Sequence, residues 1–204
     1  MRRREFLTLS AVAVGGHSLQ AQVPLRFFRE QEALIVAAAT ARIFPSDETG
    51  PGANEAGVVI YIDRQLAGPY GRDRYRYTQP PFEAGTPEHG YQGKATPRET
   101  YREGIANLAG FDRLAPAAQD AKLREIESTY FFRLLRQHTI EGMFSDPMHG
   151  GNANMVGWKL IGYPGPQMSW TDHVDRHRGE PFRPEPASLI QVVGHKVTPW
   201  EDEA

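Results

Sequence analysis

Apolar residues recur at helical spacing in the first long stretch after residue 29. The sequence from Glu30 to Phe44 reads EQEALIVAAATARIF, in which strong helix formers surround the repeated alanines. Pro45 comes next and cannot continue a helix. The pattern therefore predicts a buried first helix, whose small side chains would let a neighbouring helix approach closely.

A second helix is predicted after a turn-rich acidic loop. Asn54 is a suitable N-cap, and Gly68 follows the end of the apolar pattern. Asp63 and Arg64 fall between the apolar positions, so we expect both side chains on the solvent side of this helix. Its apolar face comprises Val58, Val59, Tyr61, Ile62 and Leu66.

Three further helices with short connections are predicted in the middle of the chain. The first begins at Thr96, where Glu99 completes a capping box. The next two extend over residues 116–127 and 129–144, and antiparallel packing is expected from the short connections. On the last helix His138 lies within an apolar stripe, and we interpret it as a hydrogen-bonded core residue rather than a ligand.

Two segments depart from this periodicity, and the first covers residues 68–96. It mixes aromatic residues and arginines with many glycines and prolines. Because tyrosine and arginine are enriched where one protein grips another, we interpret this segment as an interface loop. The alternatives are an ordered lid on the chain's own core and an unstructured loop. The predicted contact residues are Tyr70, Arg72, Tyr75 and Tyr77.

The second irregular segment, residues 144–165, reads FSDPMHGGNANMVGWKLIGYPG. It contains a short helical piece from about Ala153 to Ile161, with Asn152 as its cap. Asp146 and His149 are one candidate acid–base pair. We favour the simpler interpretation, an Asp-Pro turn in which the aspartate caps its own backbone.

Residues 166–204 form a third region with many prolines, two tryptophans and little periodicity. Only Ser188 to Val193 has a pattern, which we interpret as an edge strand. The chain is therefore predicted to be mainly α: a small irregular helical domain over residues 22–165 with long Pro-, Gly- and aromatic-rich loops, followed by an extended C-terminal tail. The tail is expected to pack on the core or on a partner.

The first 21 residues have the layout of a secretory signal, with arginines before a short apolar run and a small-residue cleavage site at Ala21. An arginine pair before x-Phe-Leu is typical of the twin-arginine class, an address that a receptor reads. The alternative is a short N-terminal helix of the folded domain. The predicted signal residues are Arg3, Arg4, Phe6 and Leu7, and we expect export of folded protein to the periplasm.

Composition narrows the choice of function. The chain has no cysteine, so thiolate ligands for an iron–sulfur cluster and the C-x-x-C-H haem attachment motif are absent. Without the signal, which carries three arginines and one glutamate, the formal charge changes from −2 to −4, which argues against nucleic acid as a partner. A signal used for folded cargo thus precedes a chain with no evident cofactor ligands, and we expect no cofactor in this chain.

The order of several motifs resembles the gluconate 2-dehydrogenase subunit 3 family. These motifs are the Arg-Arg-x-Phe-Leu signal, the helical body, the segment S-D-P-x-x-G-G-N, Gly157-Trp158-Lys159 and Gly162-Tyr163-Pro164-Gly165. Proteins of this family are small subunits of bacterial membrane-bound flavin dehydrogenases, which oxidise CH–OH groups of sugars and sugar acids. The resemblance covers most of the chain and is strongest over residues 144–165.

The resemblance implies a subunit that is not catalytic by itself. Its partner would be a large FAD-carrying, GMC-type dehydrogenase subunit without an export signal, and a multihaem cytochrome c subunit often completes such complexes. The twin-arginine machinery would carry the two chains together, with membrane association only through partners. In this part of the chain the predicted contact residues are Asp146, Pro147, Gly150, Gly151, Asn152, Trp158, Tyr163 and Trp170.

His173 and His177 suggest a different function. They are four residues apart, so on a helix they would share a face and hold zinc if a third ligand such as His149 converged. Val174 stands where the zinc-protease motif has glutamate, and the proline-rich surroundings argue against a stable helix. The chain also lacks a Gly-x-Gly-x-x-Gly dinucleotide motif. The alternative hypothesis is therefore a stand-alone periplasmic metal-binding enzyme that uses His173 and His177.

Overall fold

The structure is a computed structural model that describes residues 23–76, 80–83, 85–182 and 184–194. The predicted signal residues Arg3, Arg4, Phe6 and Leu7, and the predicted contact residue Tyr77, lie outside these ranges. The described residues form a mainly helical domain, as predicted, and we number its α-helices in chain order.

The first two helices pack against each other through small and branched side chains. Helix α1 covers Glu30–Ile43 and α2 covers Val58–Ala67. The second helix begins later than its predicted cap, Asn54, because the chain turns first and reaches Gly57 at a positive φ of 68°. The residues of α1 that allow this close approach are the buried Ala33, Ala37, Ala38 and Ala39.

The three helices predicted in the middle of the chain are all present. They are α3 (Pro97–Asn107), α4 (Pro116–Glu125) and α5 (Tyr130–Phe144). The predicted capping box forms at Thr96, whose Oγ1 accepts the Glu99 amide at 3.3 Å while its own amide donates to Glu99 Oε2 at 2.8 Å. Local sequence signals therefore determine where α3 begins.

The remaining helices are short: α6 (Val156–Ile161), α7 (Thr171–Arg176) and α8 (Leu189–Val193). The predicted edge strand at Ser188 to Val193 is wrong, because the Ser188 amide donates to Gln191 Oε1 at 2.8 Å and starts α8 instead. The expectation that proline-rich surroundings would prevent a helix around His173 is also wrong. None of the helices in the described ranges has the length and apolarity needed to cross a bilayer.

Helix α5 lies at the centre of the domain and packs against α1, α2, α3 and α6. Close packing depends on glycine where α3 meets α5, because a Cβ on Gly104 would come well within 3.0 Å of the Phe131 ring. The largest side chains with almost no exposure are Tyr101, Phe111, Ile62, Leu66, Leu108, Leu135 and Met143. These residues form one apolar core shared by α2, α3, α5 and the turn after α3.

Asp63 does not lie on the solvent side of α2, as the sequence predicted, but is 1% exposed. Its Oδ1 accepts the amides of Phe27 and Phe28 at 2.9 and 2.8 Å, and its Oδ2 accepts the amide of Arg26 at 2.7 Å. Backbone N–H groups stabilise a buried carboxylate in this way. The residues that precede α1 are therefore tied to α2.

Candidate partner interface

The carboxylate of Asp146 holds two backbone amides. Oδ1 accepts the Met148 amide at 3.0 Å, which confirms the favoured Asp-Pro turn, and Oδ2 accepts the Leu189 amide at 2.7 Å at the start of α8. The His149 amide donates to the Asp146 carbonyl at 3.0 Å, but no hydrogen bond joins the side chains of these two described residues, so the structure does not build the acid–base pair. Asp146 instead fastens the C-terminal tail to residues 144–165.

Asn152 is completely buried at the centre of the 144–165 segment. Its Nδ2 donates to the Ser145 carbonyl at 2.9 Å, and its Oδ1 accepts the Gly157 amide at 2.8 Å. Its own amide donates to the Gly142 carbonyl at 2.7 Å. The Asn152 side chain therefore holds the first turn of α6, although Met155 is the N-cap of that helix and a 3-10 turn at Ala153–Met155 lies between.

Two glycines let the 144–165 segment lie directly on the end of α5. A Cβ on Gly151 would come well within 3.0 Å of the Gly142 carbonyl oxygen, and one on Gly157 would meet the Met143 carbonyl oxygen as closely. Backbone atoms cannot move aside as a flexible side chain can. The glycines therefore serve packing inside the chain, which does not require a partner.

Trp158 and Tyr163 connect this buried packing to the surface. Trp158 is buried, and its Nε1 donates to the Phe144 carbonyl at 2.7 Å. The Tyr163 ring packs edge-on against it at 5.1 Å between centroids and stays 43% exposed. Of the contact residues predicted in the 144–165 segment, Asn152 and Trp158 are thus directed into the domain, whereas Tyr163 is available to another protein.

His138 lies in the core between two tyrosines, one of them from the 68–96 segment. Its Nδ1 is 2.8 Å from the Tyr101 hydroxyl, and its Nε2 is 2.9 Å from the Tyr70 hydroxyl. Burial lowers the pKa of His138 to about 4. The interpretation of His138 as a hydrogen-bonded core residue is confirmed.

The burial of the tyrosines determines the direction of these hydrogen bonds. A neutral imidazole has one donor nitrogen and one acceptor nitrogen. Tyr101 is fully buried and its hydroxyl bonds only His138, so it must donate to Nδ1 or leave its own proton unpaired. The Nε2 of His138 then donates to Tyr70, whose partly exposed hydroxyl can donate to water. Tyr70 is therefore held by the core although it was predicted as a contact residue.

Other parts of the 68–96 segment also fold back on the domain. Arg76 forms an ion pair with Asp73 and donates to the carbonyls of Tyr91 and Gly93 at 3.2 and 3.1 Å. The Tyr91 ring stacks on Tyr130 of α5, with centroids 3.8 Å apart and planes inclined by 5°. These contacts support the ordered-lid alternative for the two ends of the segment.

Between these anchored ends several of the described side chains are exposed. Tyr75 is 80% exposed, and Arg72 and Phe82 are exposed as well. The segment thus has two kinds of aromatic residue, those that bind it to the core and those that face outward. Contact of Tyr75 and Arg72 with a partner stays a prediction.

A second exposed surface lies around the connection from α6 to α7. We define the α6–α7 surface as Ile161, Tyr163, Met168, Trp170 and Val174. These residues are five of the eleven exposed large hydrophobics in the described ranges, although they fall within 14 consecutive positions. Met168 is 78% exposed and Trp170 is 45% exposed. Such a concentration is typical of a protein–protein contact rather than of scattered surface residues.

The ring of His173 in α7 and that of His177, the residue directly after α7, lie 6.0 Å apart, and both stack on Phe182. A metal site needs further ligands at this place. Among the residues that the structure describes, no group of three or more His, Cys, Asp or Glu side chains is arranged to hold a metal ion. His173 and His177 therefore form part of an aromatic cluster.

Sequence reasoning missed Arg64, which lies next to Asp63 on α2. Its guanidinium is partly buried against Gly150, where a Cβ would lie 2.6 Å from Nη1 and 2.8 Å from Cδ. Burial and the neighbouring Arg26 lower the pKa of Arg64, although Asp63 opposes this effect. The glycine pair at residues 150–151 was the only signal in the sequence. It could not indicate the contact, because Arg64 lies 86 positions earlier in the chain.

The fold and the two exposed surfaces define a class of protein: a small α-helical domain with glycine-dependent packing at one end and aromatic side chains left uncovered. A model of the gluconate 2-dehydrogenase subunit 3 family matches residues 30–165, about two thirds of the chain. The chain belongs to this family. No curated protein and no solved structure matches it.

Family membership makes the chain a subunit of a gluconate dehydrogenase complex and implies a catalytic partner. The matched range begins at the start of α1 and ends at Gly165, where the resemblance seen in the sequence also ends. The tail after Gly165, which carries Met168, Trp170 and Val174, lies outside the match.

Proposed function

We propose that this chain is a non-catalytic small subunit of a periplasmic FAD-dependent dehydrogenase complex. In this proposal it binds and stabilises a GMC-type flavoprotein subunit that lacks an export signal, and the pair leaves the cytoplasm folded by the twin-arginine route. FAD belongs to that partner, and haem c would belong to a third, cytochrome subunit. The complex, not this chain, transfers a hydride from a sugar or sugar-acid hydroxyl to FAD.

The α6–α7 surface is the observation that carries the binding part of the proposal. Large apolar side chains gain free energy when they leave water, about 25 cal/mol for each Å² buried. Tyr163 and Trp170 are also of the types enriched at interface centres. Since membership of the family implies a catalytic partner, that partner is the natural occupant of this surface.

The export part of the proposal is supported by the signal sequence. A twin-arginine address precedes a chain without cysteine, and a flavoprotein partner supplies the preassembled cofactor that such an address serves. The stand-alone metal enzyme receives less support, because His173 and His177 stack on Phe182 and no third ligand joins them among the described residues.

Co-expression with the flavoprotein tests the proposal. Replacing Arg3 and Arg4 by Lys keeps the charge but removes the arginine pair, so the flavoprotein should be found in the cytoplasm instead of the periplasm. Arg113→Lys, an exposed position elsewhere, is the matched control and should not affect export. Export of the flavoprotein when the arginine pair is replaced, or stoichiometric metal in the chain purified without a partner, would contradict the proposal.

A further inference from the structure

Arg64 on α2 is a half-buried arginine that lacks a hydrogen-bonding or ionic partner among the described residues. Its guanidinium is partly buried, yet it forms no hydrogen bond or ion pair with the residues that the structure describes. Buried or half-buried arginines are normally paired, because removing a charge from water is costly unless an anion or polar group replaces the water. The arrangement therefore calls for an acceptor from outside the residues that the structure describes.

Asp63, the nearest carboxylate in sequence, is not that acceptor. Both of its oxygens are engaged by the amides of residues 26–28, at 2.7 to 2.9 Å. This contact also brings Arg26 close enough to repel the Arg64 charge. The guanidinium groups of Arg26 and Arg64 thus share one nearby carboxylate, Asp63, whose oxygens already accept backbone amides. This leaves a local excess of positive charge, although the chain as a whole is acidic.

Gly150 makes the room in which the Arg64 guanidinium lies. A Cβ at this position would lie 2.6 Å from Nη1 and 3.0 Å from Cζ, and the backbone has a φ of 96° that disfavours other residues. The Arg64 side chain, in the position it occupies, therefore lies directly against the Gly150 turn. Since a planar guanidinium has five donors in a fork that matches a carboxylate, such a preformed position favours bidentate binding.

We infer that Arg64, with Arg26 beside it and the Gly150 turn against it, receives an acidic side chain of the catalytic subunit. The inference rests on the proposed function, because it assigns the contact to the same complex. It extends that function by naming a charged anchor in addition to the sequence-predicted aromatic contacts. Arginine is among the residues that dominate binding energy in protein interfaces.

Binding of the flavoprotein subunit to full-length variants of this chain tests the inference. Arg64→Met keeps an unbranched apolar stem and removes the guanidinium with its charge, so affinity should fall by about tenfold to a hundredfold, mainly through faster dissociation. Wild-type binding should weaken as salt increases, and the Arg64→Met variant should depend less on salt. Arg64→Lys, which keeps the charge without the fork, should be intermediate. Arg113→Met, at an exposed site with the same change of charge, should bind like the wild type.

Urea unfolding of the same variants separates recognition from folding. Since Arg64 has no partner within the described residues, Arg64→Met should unfold at the same or a higher urea concentration than the wild type. Equal affinity of Arg64→Met and wild type, or a loss of affinity matched by a loss of stability, would overturn the inference. Arg26→Met is a second variant for the case that Arg64→Met folds poorly. It changes an exposed side chain and keeps the hydrogen bond from the residue 26 amide to Asp63, and it should weaken binding about threefold. No binding by the wild type would instead refute the proposed complex.

Discussion

The two glycine- and proline-rich segments look alike in sequence but are held to the domain in different ways. Residues 144–165 are fastened by buried polar groups and by backbone contacts that only glycine permits, as at Asn152 and Gly157. Residues 68–96 are held at their ends by side chains, Tyr70 on His138 and Tyr91 on Tyr130. Irregular sequence therefore does not imply one kind of structure. Residues 144–165 are part of the core, whereas residues 68–96 are attached to it at their ends.

The largest effect is expected where the 144–165 segment touches the α5 backbone. Gly157→Ala would place a Cβ against the Met143 carbonyl oxygen, which cannot move without disturbing α5, so the free energy of unfolding should fall by about 3 kcal/mol or more. Gly162→Ala is the control for backbone strain without a close contact: Gly162 has a positive φ of 68° but nothing lies within 4 Å of the added Cβ, so this substitution should cost about 1 kcal/mol. Equal losses in urea unfolding would show that the close contact is unimportant.

Acid should destabilise the core around His138, because Nδ1 accepts the Tyr101 hydroxyl only while the imidazole is neutral. The pKa of His138 is about 4 in the folded chain and about 6.5 when the chain is unfolded, so the unfolded state binds the extra proton between these values. The contribution of neutral His138 to the free energy of unfolding is therefore fully present above pH 6.5, and it falls by about 3 kcal/mol as the pH decreases to 4. Urea unfolding across this range measures the slope.

The control for this pH dependence is His138→Asn, which cannot take up a proton. This variant is less stable at neutral pH, because the Tyr101 hydroxyl loses its partner, but its stability should change less between pH 6.5 and 4. An unchanged slope in the variant would assign the pH dependence to other groups.

Removing the carboxylate that joins the 144–165 segment to the tail should have a medium effect. Asp146→Ala leaves the Met148 and Leu189 amides without their acceptor and should cost about 2 kcal/mol. Asp146→Asn keeps one acceptor oxygen and should lose about half of that. Hydrogen exchange at the Leu189 amide reports the release of α8 directly, and protection equal to that of the wild type in Asp146→Ala would refute this role.

The smallest effect is expected for the aromatic stack at the end of the 68–96 segment. Tyr91→Ala removes a ring stacked 3.8 Å from Tyr130 and should cost about 1 kcal/mol. Tyr75→Ala changes an exposed tyrosine of the same segment and should leave the unfolding midpoint within experimental error. If both substitutions destabilised the chain equally, the division of this segment into anchored and outward-facing aromatics would be wrong.

Local chemistry explains why much of the helical body could be predicted. The Thr96–Glu99 capping box and the alanine pattern of α1 involve residues within about one turn of each other, and both appear in the structure. The sequence motifs of residues 144–165 likewise pointed to the family, which the match over residues 30–165 confirmed. The core position of His138 was predictable because it lies within an apolar stripe.

The burial of Asp63 and the contact of Arg64 with Gly150 could not be read in the same way, whereas the Ser188–Gln191 cap of α8 is a local signal that the prediction of an edge strand overlooked. Asp63 accepts amides from residues up to 37 positions earlier, and the α8 amide that Asp146 accepts is 43 positions later. The sequence alone thus determined the helices whose signals lie within a turn. Only the tertiary structure decided which polar groups are buried, because a carboxylate or guanidinium is placed by partners that the chain brings near only when it folds.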